Sequence, residues 1–238
     1  MDVQLTYETW EKEKPVFSID NESKGAVNAL EWAYSHYGDE LVYACSFGAE
    51  SMVLIDLIAL IRSDARLIFL DTGLHFRETD QVIAAVQQRY PNMNIDRLRP
   101  DLALEEQAEA FGDKLWERDP DRCCHLRKIV PLERALTGRS AWISGLRRAQ
   151  SPTRQNMQFI NRDERFRSIK ICPLIHWSWK DVWDYIHKHD LPYNSLHDQG
   201  YPSIGCVPCT RPVAEGEDLR AGRWSGRSKT ECGLHTTR

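Results

Sequence analysis

The sequence lacks what would direct it to a membrane, an extracellular scaffold or a nucleic acid. In 238 residues the longest apolar stretch, around VLIDLIALI, is short and interrupted by Asp56, so no segment reads as a membrane span. The start, MDVQLTYETWEKEKP, has no basic region followed by an apolar one, and a soluble, cytoplasmic chain is expected. There is no internal repeat and no low-complexity linker. The net charge is only -4, which gives no general attraction to nucleic acid or acidic lipid. Any anion site must therefore come from local clustering.

The seven cysteines are an odd number and include the adjacent pair Cys123-Cys124, whose mutual disulfide would be strained. In a reducing cytosol this favours metal or redox chemistry over a disulfide framework.

What is present is alternation. LVYACS reads as a buried strand running through FGAES into the helical VLIDLIALI; RLIFLDTGLH is a strand ending in a polar loop before the helical RETDQVIAAVQQRY. MNIDRLRP is a shorter strand candidate before LALEEQAEAFG, SAWISGL a strand ending in a loop, and SIKICPLI a late strand. NESKGAVNALEWAYSH, CCHLRKIVPLERAL (despite Pro131) and WSWKDVWDYIHKH carry helical patterns. The expectation is an α/β fold, a parallel twisted sheet with helices on both faces. Residues 1–210 would form the domain, and the Gly-, Pro- and Ser-rich, charged residues 211–238 a mobile tail.

Ligands of such sheets bind beyond the carboxyl ends of the strands, here SFGAES, DTGLHF and SGLRRAQSPTR. Ser46, Gly48 and Ser51 suit the approach of backbone N–H groups to an anion at a helix start. Arg147, Arg148 and Arg154 add charged forks suited to phosphate or sulfate. An ordinary turn and a solvated basic face are the plainer alternatives.

Cys206 and Cys209 form CVPC, and Cys123 with Cys124 would complete a four-thiolate set from a distant segment. The spacing leaves zinc and iron–sulfur open; the adjacent pair favours a cluster, because structural zinc sites space their ligands. Cys45 and Cys172 lie in apolar strands and read as core. Cys232 is left over on a basic tail near Lys229 and His235, surroundings that favour an exposed thiolate nucleophile over a dispensable surface cysteine.

SFGAES, LDTGLHFRET, CCHLRK, ISGLRRAQSPTR, GCVPC, RAGRWSG and KTECGLH, in that order, resemble the assimilatory sulfonucleotide reductases of the iron–sulfur type, the adenylyl-sulfate (APS) reductases. The resemblance implies an adenine nucleotide α-hydrolase-like fold and thioredoxin- or glutaredoxin-dependent reduction of APS to sulfite and AMP in sulfate assimilation. It implies a [4Fe-4S] cluster on Cys123, Cys124, Cys206 and Cys209, Lys128 between cluster and substrate, and an S-sulfocysteine on Cys232. Ser46, Gly48, Leu70, Thr72, Gly145, Arg154, Arg220, Arg223 and His235 would hold the nucleotide, with Ser51 and Arg147 added from the loop reading. Use of the 3′-phosphorylated substrate (PAPS) and assembly of identical chains stay open.

SFGAES also resembles, more distantly, the SGGxDS loop of ATP pyrophosphatases, with Phe47 for a glycine and Glu50 for the aspartate. The rivals are a cluster-bearing tRNA-thiolating enzyme of that kind and a zinc-organised nucleic-acid module.

Overall fold

A computed structural model describes residues 4–11, 14–20 and 22–235. Its centre is a six-stranded sheet in the order β3-β2-β1-β4-β6-β5. The strands are β1 (Val42–Cys45), β2 (Arg66–Leu70), β3 (Asn94–Leu98), β4 (Ala141–Ser144), β5 (Ile160–Asp163) and β6 (Ser168–Ile171). All neighbours pair in parallel except β5 and β6. The strand order reverses between β1 and β4, with Tyr43 opposite both Leu67 and Ile143. In an open sheet such a reversal leaves a crevice at the carboxyl ends of the two strands.

Strand alternation decides which face each helix covers. Tyr43, Cys45, Leu67, Phe69, Ile143 and Ile171 point into one core, built with α1 (Ala26–Tyr37), α2 (Ala49–Ile61), α3 (Arg77–Arg89) and α8 (Trp179–Lys188). Val42, Ile68 and Trp142 point the other way, onto Ile129, Leu132 and Leu136. The α2 helix is apolar almost all round and buried accordingly. Apart from Glu50 in its first turn, its one charge, Asp56, accepts hydrogen bonds from Tyr90 Oη at 2.7 Å and Tyr185 Oη at 2.8 Å, which satisfies a carboxylate that would otherwise be costly there.

After the short helices α4 (Leu104–Phe111) and α5 (Leu115–Arg118), the CCHLRKIVPLERAL segment is a helix of three parts. These are α6 (Pro120–Cys124), one π turn (His125–Ile129) and α7 (Val130–Leu136). Pro131, the second residue of α7, comes just after the wide turn, where the missing N–H and the ring's clash with the preceding turn cost least. The Asp119 carboxylate accepts from Arg122 N–H and caps the helix.

The sequence expectation of one late strand was incomplete. β5 and β6 form an antiparallel hairpin around DERFR, and Asp163 and Lys170 pair across it at 2.7 Å, both buried. Residues beyond 210 contain little regular structure but are packed: Thr210 bridges to Arg223, and Trp224 and Glu231 are buried. Residues 236–238, the end of the expected tail, lie outside the described residues. No helix among the described residues is long and apolar enough to cross a membrane.

Candidate active site

The crevice between β1 and β4 opens into a cavity of about 250 Å³. The first turn of α2 lines it, with Ser46, Gly48 and Ser51 on the wall. No side chain caps α2, so its first N–H groups and the positive end of its dipole remain available to an anion. The hydroxyls of Ser46 and Ser51 are 3.2 Å apart and bonded to each other. Leu70 closes one side, Gly145 another. A Cβ at Gly145 would meet Tyr43 Oη at 3.3 Å and Glu50 Cβ at 3.6 Å, so glycine keeps β4 and α2 close where the crevice begins.

The four arginines expected at the nucleotide and Lys128, expected between cluster and substrate, surround this cavity, but most are already paired. Arg147, buried, gives Glu50 Oε1 two hydrogen bonds at 2.9 and 2.7 Å. Arg154, equally buried, gives Glu231 two at 2.9 and 2.8 Å. Arg220 reaches Thr230 O at 2.9 Å and Glu231 at 3.4 Å. Arg223 makes no ion pair among the described residues; it contacts Ser203 Oγ at 3.4 Å and lies over the Trp224 ring. Lys128 comes from the π turn into the cavity. Burial would lower its ammonium pKa, and the sulfurs of Cys206, Cys232 and Cys124 outweigh this and hold it up. Arg148 is not part of the wall, since it bonds to Met157 O and Gln158 instead.

The tail supplies the remaining wall. Cys232, Leu234 and His235 line the cavity together with Arg220 and Arg223. Cys232 is half-buried, not exposed as the tail's composition suggested. Arg227 bonds to Trp116 O at 2.9 Å, Lys229 pairs with Asp121, and Lys170 Nζ donates to Leu234 O at 3.2 Å. Cys45 and Cys172, by contrast, are fully buried thiols whose pKa values burial pushes up to about 12. Cys45 also borders the cavity, but as a thiol it is a poor nucleophile there.

Beside the cavity is a second hollow, lined by Cys123, Cys124, Cys206 and Cys209 with Arg127 and Lys128. Thr72, expected at the nucleotide, lies in this hollow instead, its hydroxyl 3.4 Å from Cys206 Sγ. Two loops are sewn together here: Val207 N–H donates to Leu74 O at 2.8 Å and Arg127 Nε to Thr72 O at 2.6 Å. Burial and then Cys124, Cys206 and Cys209 push the Cys123 thiol up to about 12, as expected for sulfurs gathered from two distant segments. Among the described residues no three His, Cys, Asp or Glu side chains converge on a single-ion site.

A family profile described as the phosphoadenosine phosphosulfate reductase domain matches residues 40–212. The chain belongs to that family. Among curated relatives, the adenosine 5′-phosphosulfate reductase of Geobacillus thermodenitrificans is 63% identical over 98% of this chain and all of that protein. Adenosine 5′-phosphosulfate reductase 1 of Bacillus subtilis is 62% identical over 97% of this chain and 99% of that protein. Among solved structures, the phosphoadenylyl-sulfate reductase of Candida auris is 32% identical with a TM-score of 0.67, covering 79% of this chain and 90% of that one. A Candida glabrata FMN adenylyltransferase, 18% identical with a TM-score of 0.58 over 87% of this chain and 72% of that one, shares the fold. The expected family and fold class are thereby borne out.

Within this sulfonucleotide reductase fold, the first loop accommodates its departures from SGGxDS physically. Phe47 has a φ of 55°, the left-handed region that favours glycine. Its ring is buried edge-on to Phe69 at 5.3 Å, and that burial offsets the backbone strain. Glu50 in the aspartate's place is the partner of Arg147. Sequence reasoning assigned no role to Glu231, Gln150 or Trp142, all of which line the cavity. For Glu231, an acid next to Cys232 in a basic tail was the available signal.

Proposed function

We propose that the protein reduces APS to sulfite and AMP, with Cys232 as the attacking thiol and a thioredoxin-like dithiol as reductant. The observation that carries this reading is that Cys232, Lys128 and the uncapped start of α2 line one cavity. A thiolate approaching a sulfate is repelled unless cations neutralise the path, and Lys128 and Arg223 are the cavity cations without a carboxylate partner. The adenosine phosphate fits the crevice at the strand-order reversal, and the tail brings the thiol from the other side. APS is preferred over its 3′-phosphorylated form because relatives above 60% identity bear that name, against 32% for the Candida auris protein named for PAPS.

The Cys232 thiolate attacks the sulfate sulfur, an S–S bond forms, and the sulfur–oxygen bond to AMP breaks. A thiolate of the external dithiol then attacks Cys232 Sγ, sulfite leaves, and the second thiol of that partner restores Cys232. The two electrons come from the dithiol, which ends as a disulfide. The second step requires the tail to release Cys232 from the cavity, since a protein dithiol cannot enter it.

Cys123, Cys124, Cys206 and Cys209 suit a [4Fe-4S] cluster. The four sulfurs line one hollow and would hold such a group as thiolates. Arg127 and Lys128 on the same hollow offset the negative charge of such a group. When bound, it would supply fixed charge next to Lys128, which lines both the hollow and the cavity, and would tie two chain segments together.

The test is incubation with APS and no reductant. One sulfite-equivalent mass should appear on the peptide containing Cys232 with release of a matching amount of AMP, and thioredoxin should remove it as sulfite. An adduct on Cys45 or Cys172, or turnover by Cys232→Ser, overturns the reading.

A further inference from the structure

Glu231 is buried immediately before Cys232 and receives hydrogen bonds from Arg154 Nε at 2.9 Å and Nη2 at 2.8 Å. Arg220 Nη2 and the Thr153 hydroxyl approach it at 3.4 Å. Burial alone would raise its carboxyl pKa, and these partners more than reverse that. The contacts continue past Arg154. Arg154 also bonds to Gln150, Gln150 Nε2 donates to Glu50 Oε1 at 2.9 Å, and Glu50 holds Arg147 at the first turn of α2. A single chain of hydrogen bonds thus runs from the tail, along the cavity wall, to the helix start that faces an anion.

We propose that Glu231 is a positioning residue that clasps the tail shut, and that its pairing with Arg154 holds Cys232 at the cavity before any nucleotide is bound. Consecutive Cα atoms are about 3.8 Å apart, so fixing the Glu231 carboxylate leaves the neighbouring thiol little room to move. The chemistry suits a clasp that must also open. A buried ion pair is nearly balanced by the hydration its two charges regain in water, whereas an apolar cover of equal size would resist opening. The clasp also neutralises Arg154 and part of Arg220, which reserves Lys128 and Arg223 for the substrate's charge. Without the carboxylate, Arg154 and Arg220 face each other unpaired and the tail is pushed away. The catalytic consequence rests on Cys232 being the attacking thiol; the closure itself does not.

The experiment is alkylation of the full-length, cysteine-intact protein by iodoacetamide without nucleotide, followed by the mass of the Cys232 peptide. Glu231→Gln should label Cys232 roughly tenfold faster or more than the unmutated protein, since one partner of a buried pair has been removed. Glu231→Asp, which keeps the charge, should recover part of the protection. In turnover, Glu231→Gln should lower kcat while KM for APS changes far less, because the thiol and not the nucleotide is displaced. Equal labelling rates in Glu231→Gln and the unmutated protein overturn the proposal. If Glu231→Gln does not accumulate, amide hydrogen exchange of the unmutated, nucleotide-free protein decides. Protection around residues 229–234 is expected, and free-chain exchange there overturns the clasp. An adduct on Cys232 together with unchanged labelling would remove the clasp alone; rapid labelling of Glu231→Gln together with turnover by Cys232→Ser would remove the nucleophile alone.

Discussion

The imidazole of His235 lies parallel to the indole of Trp142, ring centroids 6.4 Å apart and planes 10° from coplanar. His235 Nδ1 and Trp142 Nε1 have no hydrogen-bond partner among the described residues. Burial, then Arg154, Lys170 and Arg220, hold the imidazole well below its usual pKa. The docked tail therefore binds a neutral His235, and a tail released to water binds a proton near the ordinary value of about 6.5. Docking is fully favoured above that value and weakens as the pH falls below it, by about 1.4 kcal/mol per pH unit until the docked pKa is reached. In NMR spectra the tail amides should lose protection between roughly pH 6.5 and pH 5, while the His235 ring of the docked form does not titrate. A ring titrating at its ordinary value with the tail amides unchanged would contradict this.

The four hollow-lining cysteines should behave as one unit, because a group held by all four loses a ligand, and its closure from solvent, when any one of them is replaced. Cys123→Ser, Cys124→Ser, Cys206→Ser and Cys209→Ser should each abolish the visible absorption of anaerobically purified protein together with APS turnover. Cys172→Ala, in the small buried cluster with Leu146 and Met157, should keep both. A colourless, fully active Cys206→Ser protein would end the cluster assignment.

Two arginines on the same cavity should fail in different ways. Arg223, without an ion pair, should on replacement by Ala lower kcat/KM for APS by about tenfold to a hundredfold, the worth of a charge-assisted hydrogen bond, with little change in Tm. Arg147→Ala leaves the part-buried Glu50 carboxylate without its counter-charge, with Gln150 as its remaining donor, and about 2–4 kcal/mol of stability should go with it. Thermal denaturation and steady-state kinetics on the same preparations separate the two.

Asp56 is the acceptor for two tyrosine hydroxyls from α8 and the end of α3. Asp56→Ala removes both bonds and strands Tyr90 and Tyr185, which should cost about 2–4 kcal/mol and lower Tm by about 5 °C or more. APS turnover at low temperature should persist, since Asp56 faces away from the cavity. Loss of turnover with an unchanged Tm would refute the structural role.

The sheet's parallel strands were legible because each apolar run ended in a polar loop before a helical pattern. The β5 strand was not: in INRD only Ile160 and Asp163 are buried, and a buried carboxylate held by Lys170 erases the alternation that marks a strand. The cavity's positive residues were legible as charges, but their partners were not. Glu231 and Arg154 are separated by 77 residues, and no local pattern distinguishes an arginine committed to a carboxylate from one waiting for a ligand. The loop after β2 divides its residues between the two hollows, His75 lining the cavity and Thr72 turning its hydroxyl to Cys206, a split that no local pattern announces. The order of motifs carried the family because it samples the loops after β1, β2 and β4 together with the two cysteine segments and the tail that close on them.

The π turn at His125–Ile129 makes this stretch sensitive to its length in a way its composition does not advertise. Deleting one residue would let the helix relax to its regular form, but each residue accounts for about 100° of rotation. Cys123 and Cys124 would swing off the hollow and Lys128 would leave the cavity, although every side chain needed for both was still encoded. An exchange at the exposed His125 should be harmless by comparison. Evolutionary drift at His125 is therefore free to change the letter and barred from losing it.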